Sequence, residues 1–419
     1  MKNILKRFRF LQEIDSFFLI ANLAFAFFIP LYQKVIPVLI WIWMILWLLA
    51  EKYSKNKSPF RFEIAGMLLM VFYLLHIVGL IYTKNLDEGL FDIQVKLSLI
   101  IFPLFLPRYK HSLLNNLDKI LLWFVSGVVI SIIICAGVML NEFIHNPDYF
   151  NYFSRFPLYV IYSRFSIFHH TSYFTLFLVF SIAVLFYFIR TKQNNSLRKF
   201  LIITLIIIIS ALTICLSSRA GIIGLLVILL WNILSFLQNK TNWLSVSVLV
   251  LIFALPLLIF IKNDRFSRFF AKASYKEIFQ EEIKNVDNNS FERIYIWNSA
   301  VKVIKQNWFF GVGTGDVKDN LRSIYNNNGF VKGVKRNYNA HNQFLETWIG
   351  LGIFGEIVLL TILIYGFVKG IKNRDILLQS FIILLFVHFF FESMLNRLAG
   401  VIFFSFFYSL LLYRNANKT

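Results

Sequence analysis

The sequence predicts an all-α integral membrane protein with about 12 transmembrane helices. Of its 419 residues, 58% are hydrophobic and only 15% are charged, and phenylalanine alone occupies 49 positions. Soluble domains are about 45–50% apolar and about 25% charged. Twelve spans of about 20 residues need about 240 residues, or about 57% of this chain. The composition therefore excludes a soluble enzyme, a disordered protein and a secreted disulfide-bonded protein.

The apolar runs give the positions of the spans. The predicted spans are 14–31, 35–50, 63–82, 91–106, 120–140, 171–189, 200–216, 221–237, 243–261, 347–368, 376–392 and 398–413. The run 91–106 is the least regular, because Asp92 and Lys96 lie in it and Pro103 interrupts it. Cys135 and Cys215 lie inside apolar runs, which favours buried thiols over a disulfide or a metal site.

The basic residues predict the orientation of the bundle. The chain has a net charge of +20, and the N-terminus and every second loop hold 21 Lys or Arg, against seven in the short loops on the other side. The positive-inside rule then puts both termini in the cytoplasm, and it explains the charge without nucleic-acid binding. The predicted organisation is nine spans in 1–261, an outer segment with amphipathic helices in 262–346, and three spans in 347–419.

A short polar run, Ser217-Ser218-Arg219-Ala220-Gly221, precedes the eighth predicted span on its outer side. Ser217 or Ser218 can cap this helix, which leaves Arg219 in its first turn. An arginine at the positive end of a helix normally costs stability, and a bound anion would offset that cost. The alternative is an arginine that extends to lipid headgroups.

A second arginine, Arg293, begins a predicted amphipathic helix in the outer segment. Ile294, Trp297, Val301 and Ile304 recur at helical spacing and form one apolar stripe. Arg293 stands four positions before Trp297, so it is predicted to lie beside the stripe and to point toward the membrane surface. A solvated arginine is the alternative.

A histidine begins the tenth predicted span. With Asn339 as the N-cap, His341 lies in the first helical turn. The helix dipole disfavours imidazolium there, so we expect a neutral ring that can accept a proton. The alternative is a structural histidine in a capping turn.

The glycine-rich run 307–316 lies between the predicted helix that begins at Arg293 and the helix start at His341. It has neither the strand–loop–helix setting nor the lysine of a P-loop. A plain turn is therefore favoured over nucleotide binding.

Other polar residues near the outer side are secondary candidates. They are Arg164, His170, Asn342, Glu392 and Arg397. We expect Glu392 to pair with Arg397. His169 and His170 lack further ligands at metal-site spacing, so no metal site is predicted.

Taken together, these residues resemble the O-antigen ligase and O-antigen polymerase superfamily. The resemblance rests on three ordered pieces, which are Ser218 to Gly221, Arg293 to Trp297 leading into Asn307 to Gly313, and His341 to Leu345 followed by Gly350, Gly352 and Gly355. These pieces lie within residues 210–365, about a third of the chain.

The resemblance implies a multispanning GT-C-type glycosyltransferase of the bacterial inner membrane, with its active site facing the periplasm. Such an enzyme moves a glycan from undecaprenyl diphosphate to an acceptor hydroxyl, inverts the anomeric configuration, and uses neither a metal ion nor a cofactor. In a ligase of lipopolysaccharide biosynthesis the acceptor is lipid A–core, and in a polymerase it is another lipid-linked repeat unit. The resemblance also implies that Arg219 and Arg293 bind the diphosphate and that His341 serves the acceptor.

The chemistry of the residues agrees with these roles, because guanidinium groups stay charged and bind phosphate bidentately. A ligase is the first hypothesis and a polymerase the second. A lipid-glycan flippase or transporter is a third, but it needs charges distributed through several spans. The candidates here are predicted to lie at one end of the bundle, which favours the enzyme.

Overall fold

The computed structural model describes residues 16–54, 57–59, 63–146, 161–191, 195–237 and 292–414. Every regular element in these ranges is helical, which confirms the predicted all-α class. The helices of the first part are α1 (Ser16–Phe28), α2 (Ile36–Tyr53), α3 (Ile64–Leu80), α4 (Leu86–Lys96), α5 (Ser98–Phe105), α6 (Lys110–Asn115), α7 (Leu117–His145), α8 (Thr171–Thr191), α9 (Ser196–Cys215) and α10 (Arg219–Leu237). Those of the second part are α11 (Glu292–Gln306), α12 (Val317–Asn327), α13 (Val331–Arg336), α14 (Gln343–Lys372), α15 (Ile376–Phe391) and α16 (Leu398–Tyr413).

The apolar helices coincide with the predicted spans wherever the chain is described. Within the described residues, seven helical stretches are long and apolar enough to cross a membrane, namely α2, the stretch from α4 to α6, α7, α8, α9, α10 and α14. The shorter apolar helices α1, α3, α15 and α16 coincide with four further predicted spans. The predicted ninth span, 243–261, lies outside the described residues, and so do residues 262–291 of the predicted outer segment. The number of 12 spans therefore stays a prediction, and the chain is a multi-pass membrane protein.

The fourth predicted span differs most from the structure. Its helical stretch begins at Leu86, five residues before the predicted start, because the Asn85 side chain caps α4 by accepting the Glu88 N–H (3.2 Å). The helix breaks at Leu97, between α4 and α5. Lys96 is buried and pairs with Asp92 one turn earlier, so these two charges satisfy each other inside the span.

Helices α8 and α16 form the centre of the bundle, and phenylalanine fills it. Every residue of α16 from Ala399 to Tyr413 is buried, as are 17 residues of α8. The Phe180 ring meets the Phe403 ring edge-on at 5.2 Å, and Phe124 meets Phe407 in the same way at 4.9 Å. Each such pair contributes about 0.5–1.5 kcal/mol beyond its buried area.

Helices α11, α12 and α13 form a smaller cluster with the first turns of α14. Its buried residues include Ile296, Ala300, Val303 and Leu321. The predicted apolar stripe of α11 was wrong at Val301, which is exposed, whereas Ile304 is buried in this cluster and Trp297 packs against it. Small side chains, Ser299 and Ala300, let α11 approach its neighbours closely, and a stripe defined by bulky residues overlooked them.

The glycine-rich run is a turn that packs against a kink in α14. Gly352, inside α14, has a φ of 65°, and a Cβ there would lie 2.1 Å from the Phe309 carbonyl oxygen. The kink leaves the Ile349 and Gly350 carbonyls free to accept from the Val312 N–H (2.8 Å) and the Gly313 N–H (3.0 Å). The close contact between the two backbone segments explains why glycine occupies these positions.

Candidate functional site

Three separate segments of the chain meet at the carboxylate of Glu392, which follows α15. His341 lies 2.9 Å from one carboxylate oxygen through its Nδ1. The Nη2 atom of Arg293 lies 4.0 Å from the other oxygen, to which the Ser172 hydroxyl of α8 also donates at 3.3 Å. Two of the three principal sequence candidates, His341 and Arg293, therefore contact one buried acid.

The surroundings of Glu392 keep it ionised. Burial raises the pKa of this carboxyl, since the residue is only 6% exposed. The hydrogen bond from His341 and the positive charge of Arg293 outweigh that cost and hold the pKa of the Glu392 carboxyl below its usual range. Glu392 is thus a buried carboxylate that faces a histidine and an arginine.

His341 does not lie in the first turn of a helix as predicted. The helix α14 begins at Gln343, and its N-cap is Asn342, whose side chain accepts the Leu345 N–H (3.1 Å). His341 precedes the cap in the left-handed region with a φ of 44°, and its own N–H donates to the side chain of Asn339 (3.0 Å). The expected effect of the helix dipole on His341 therefore loses its structural basis.

The contact with Glu392 decides which ring nitrogen of His341 is available. A carboxylate only accepts hydrogen bonds, so Nδ1 carries the proton that it shares with Glu392. With its proton on Nδ1, the neutral form of the ring has Nε2 as its proton acceptor, in the way that an acid orients a catalytic histidine. The His341 side chain is 26% exposed, which leaves it open to a substrate.

A second buried acid, Glu346, joins the segments that carry His341 and Glu392. Its carboxylate accepts the Ala340 N–H (2.7 Å), next to His341, and the Asn396 amide N–H (2.6 Å) from the loop after Glu392. Gln343 adds a third link, since its side-chain oxygen accepts the Leu395 N–H (2.7 Å). The sequence analysis overlooked Glu346 and Gln343, although polar residues at the start of an apolar span were a signal.

Arg219 lies at the same end of the bundle as Glu392. It begins α10, and the hydroxyl of Ser218 accepts the Gly221 N–H (3.3 Å), so Ser218 is the predicted cap. Thr175 packs against Gly221 and lies on α8 one turn after Ser172, which donates to Glu392. The convergence of Arg219 and Arg293 on one diphosphate stays a prediction.

The side chain of Arg293 lies on the buried face of α11 rather than beside it. Ile296 and Ala300 follow it by three and seven positions, and both are buried. Arg293 therefore turns toward Glu392 and the rest of the bundle.

The other secondary candidates surround this cluster or lie apart from it. The predicted pairing of Glu392 with Arg397 was wrong, because His341, Arg293 and Ser172 occupy the carboxylate and Arg397 is exposed as the N-cap of α16. His170 is exposed at the start of α8, where its Nδ1 accepts the Ser172 N–H (3.4 Å). Arg164 is exposed in a π-helical turn, Ile161–Phe165.

Comparison with known proteins agrees with the resemblance seen in the sequence. Residues 204–360 match the family described as O-antigen ligase, and this range contains Arg219, Arg293 and His341. An uncharacterized protein of Haemophilus influenzae is 29% identical over 218 residues, which are 50% of this chain and 53% of that protein. The chain thus spans about half the length of the curated relative that it matches. The match confirms the predicted resemblance to the O-antigen ligase and polymerase superfamily over residues 204–360.

Proposed function

We propose that this protein is an O-antigen ligase-like glycosyltransferase. It moves a glycan from undecaprenyl diphosphate to a hydroxyl of lipid A–core on the periplasmic face of the inner membrane. The single observation that carries the proposal is the contact of His341 and Arg293 with Glu392, since it joins a proton acceptor and a phosphate-binding group around one charge.

His341 is the general base of the proposed reaction. Its Nε2 takes the proton of the acceptor hydroxyl as that oxygen attacks the anomeric carbon of the donor. The imidazolium that forms is stabilised by the Glu392 carboxylate at Nδ1. Attack on the face opposite the diphosphate inverts the anomeric configuration.

The arginines serve the leaving group. The bond between the anomeric carbon and the phosphate oxygen breaks, its electron pair stays on that oxygen, and undecaprenyl diphosphate gains charge. Arg293 and Arg219 stabilise this charge through bidentate hydrogen bonds in a poorly hydrated site. Guanidinium groups can do this without a metal ion because they stay protonated.

Deletion of the gene, followed by gel analysis of lipopolysaccharide, tests the proposed function. A ligase deletion leaves core without O-chains while polymeric lipid-linked glycan accumulates. Core that carries a single repeat unit would instead indicate a polymerase, the second candidate within the same superfamily. Failure of lipid-linked glycan to reach the periplasm would indicate a flippase and contradict the proposal.

A further inference from the structure

A polar pocket shares the side chain of Glu346 with the turn that carries His341. Phe91 and Lys96 of α4, Lys318 of α12 and Glu346 of α14 line it. Glu346 also accepts the N–H of Ala340, the residue before His341. One carboxylate therefore forms part of the pocket and holds the backbone beside His341.

The pocket is lined by charges of both signs. Asp92 pairs with Lys96, whose side chain is only 3% exposed, and Glu88 of α4 pairs with Lys318 of α12 at 2.7 Å. With Glu346, the lining holds three carboxyl groups against two ammonium groups. Such a lining repels a diphosphate, in contrast to the two arginines assigned to the donor.

A lining that places carboxylates beside ammonium groups suits an uncharged molecule with many hydroxyls. A hydroxyl donates one hydrogen bond and accepts two, so it needs acceptors such as Asp92 next to donors such as Lys318. The Phe91 side chain at this pocket is 59% exposed and offers an aromatic face to the C–H side of a sugar ring.

We propose that this pocket binds a sugar ring of the acceptor and brings its hydroxyl to His341. This inference rests on the proposed transferase function and assigns the pocket to the acceptor rather than to the lipid-linked donor. Glu346 lines the pocket and its carboxylate accepts the Ala340 N–H, so an acceptor sugar in the pocket would reach the turn that carries Ala340 and His341.

Titration of the purified protein with deacylated core oligosaccharide tests the pocket without any need for turnover. Phe91→Ala removes the aromatic wall and Lys318→Gln removes the charge of one donor, both at partly exposed positions, where folding is little affected. Each should weaken oligosaccharide binding about tenfold, as expected for the loss of about 1.4 kcal/mol. Binding of glycan-free undecaprenyl diphosphate should stay within about twofold of wild type.

Phe200→Ala and Lys302→Gln are the matched controls. Phe200 is an exposed phenylalanine of α9, and Lys302 is an exposed lysine of α11 that contacts Asn328. Both should bind the oligosaccharide like wild type. In a transfer assay, Phe91→Ala should raise the KM for the acceptor about tenfold and leave kcat and the donor KM unchanged.

The outcomes separate the pocket from the proposed function. Wild-type binding by Phe91→Ala and Lys318→Gln, or a rise in the donor KM instead of the acceptor KM, overturns the assignment of the pocket. Oligosaccharide binding that depends on Phe91 in a protein without transferase activity would support the pocket and reject the transferase. A wild-type protein that does not bind the oligosaccharide overturns the pocket directly.

Discussion

Glu392 and Glu346 are two buried carboxylates at the same end of the bundle, each only 6% exposed, and they have different partners. Glu392 contacts the side chains of His341 and Arg293, whereas Glu346 accepts from a backbone N–H and the side chain of Asn396. The first acid therefore faces an arginine and a histidine in addition to the Ser172 hydroxyl, whereas the hydrogen-bond donors to the second are neutral. We infer that the charge of Glu392 acts on the chemistry and that Glu346 is a positioning residue.

The largest effect is expected from His341 itself. His341→Ala should lower kcat for glycan transfer by about 10²–10⁴, the typical contribution of a general base. His341→Gln and His341→Asn should not restore it, because an amide cannot take the proton. Transfer assays at matched membrane levels measure this, and near-normal activity of the amide variants would give His341 a structural role only.

Removal of the charge on Glu392 should have the next largest effect. Glu392→Gln keeps an oxygen for Nδ1 but no longer stabilises the imidazolium, so kcat should fall by about 10². The KM for the donor should change little. A variant with wild-type kcat would show that the charge of Glu392 is not used in the reaction.

The arginines should respond to a conservative change. Arg219→Lys and Arg293→Lys keep the charge and lose the bidentate geometry, so each should reduce kcat/KM for the donor by about 10- to 100-fold. Lys305→Arg, on an exposed lysine of α11, is the control and should have no effect. Full activity of both lysine variants would remove the bidentate contact from the mechanism.

Glu346 should show the smallest effect on activity and a larger one on stability. Glu346→Gln retains an acceptor for the Ala340 N–H, and the Asn396 amide can turn to meet the new donor, so kcat should fall by only about threefold. Glu346→Ala leaves the buried Ala340 N–H without its acceptor and should cost about 1–3 kcal/mol of stability. If Glu346→Gln lost as much activity as Glu392→Gln, the distinction between the two acids would fail.

The sequence predicted the residues at the starts of helices better than the contacts between them. Arg219 and Arg293 were found because each begins a helix in an otherwise apolar chain, and Ser218 caps α10 as expected. The partner of Glu392 was assigned wrongly because Arg397 is near in sequence, whereas His341 lies 51 positions away. Periodicity carries no information about such distant pairs.

The local geometry of helix starts and helix contacts was a second feature that the sequence alone could not predict. Asn339 and Asn342 are both acceptable N-caps, and only the fold decides that the helix begins after Asn342. The buried face of α11 depends on Ser299 and Ala300, whose small size matters only once α12 and α14 pack against them. The early start of α4 at Leu86 depends in the same way on the Asn85 cap.

The central claim is that Glu392 acts through His341, and a double-variant cycle tests it most directly. The kcat for glycan transfer should be measured for His341→Ala, for Glu392→Gln and for the two changes combined. Because Glu392 has nothing to orient once the imidazole is gone, the double variant should match His341→Ala within about twofold. A double variant whose loss equals the product of the two single losses would contradict the account.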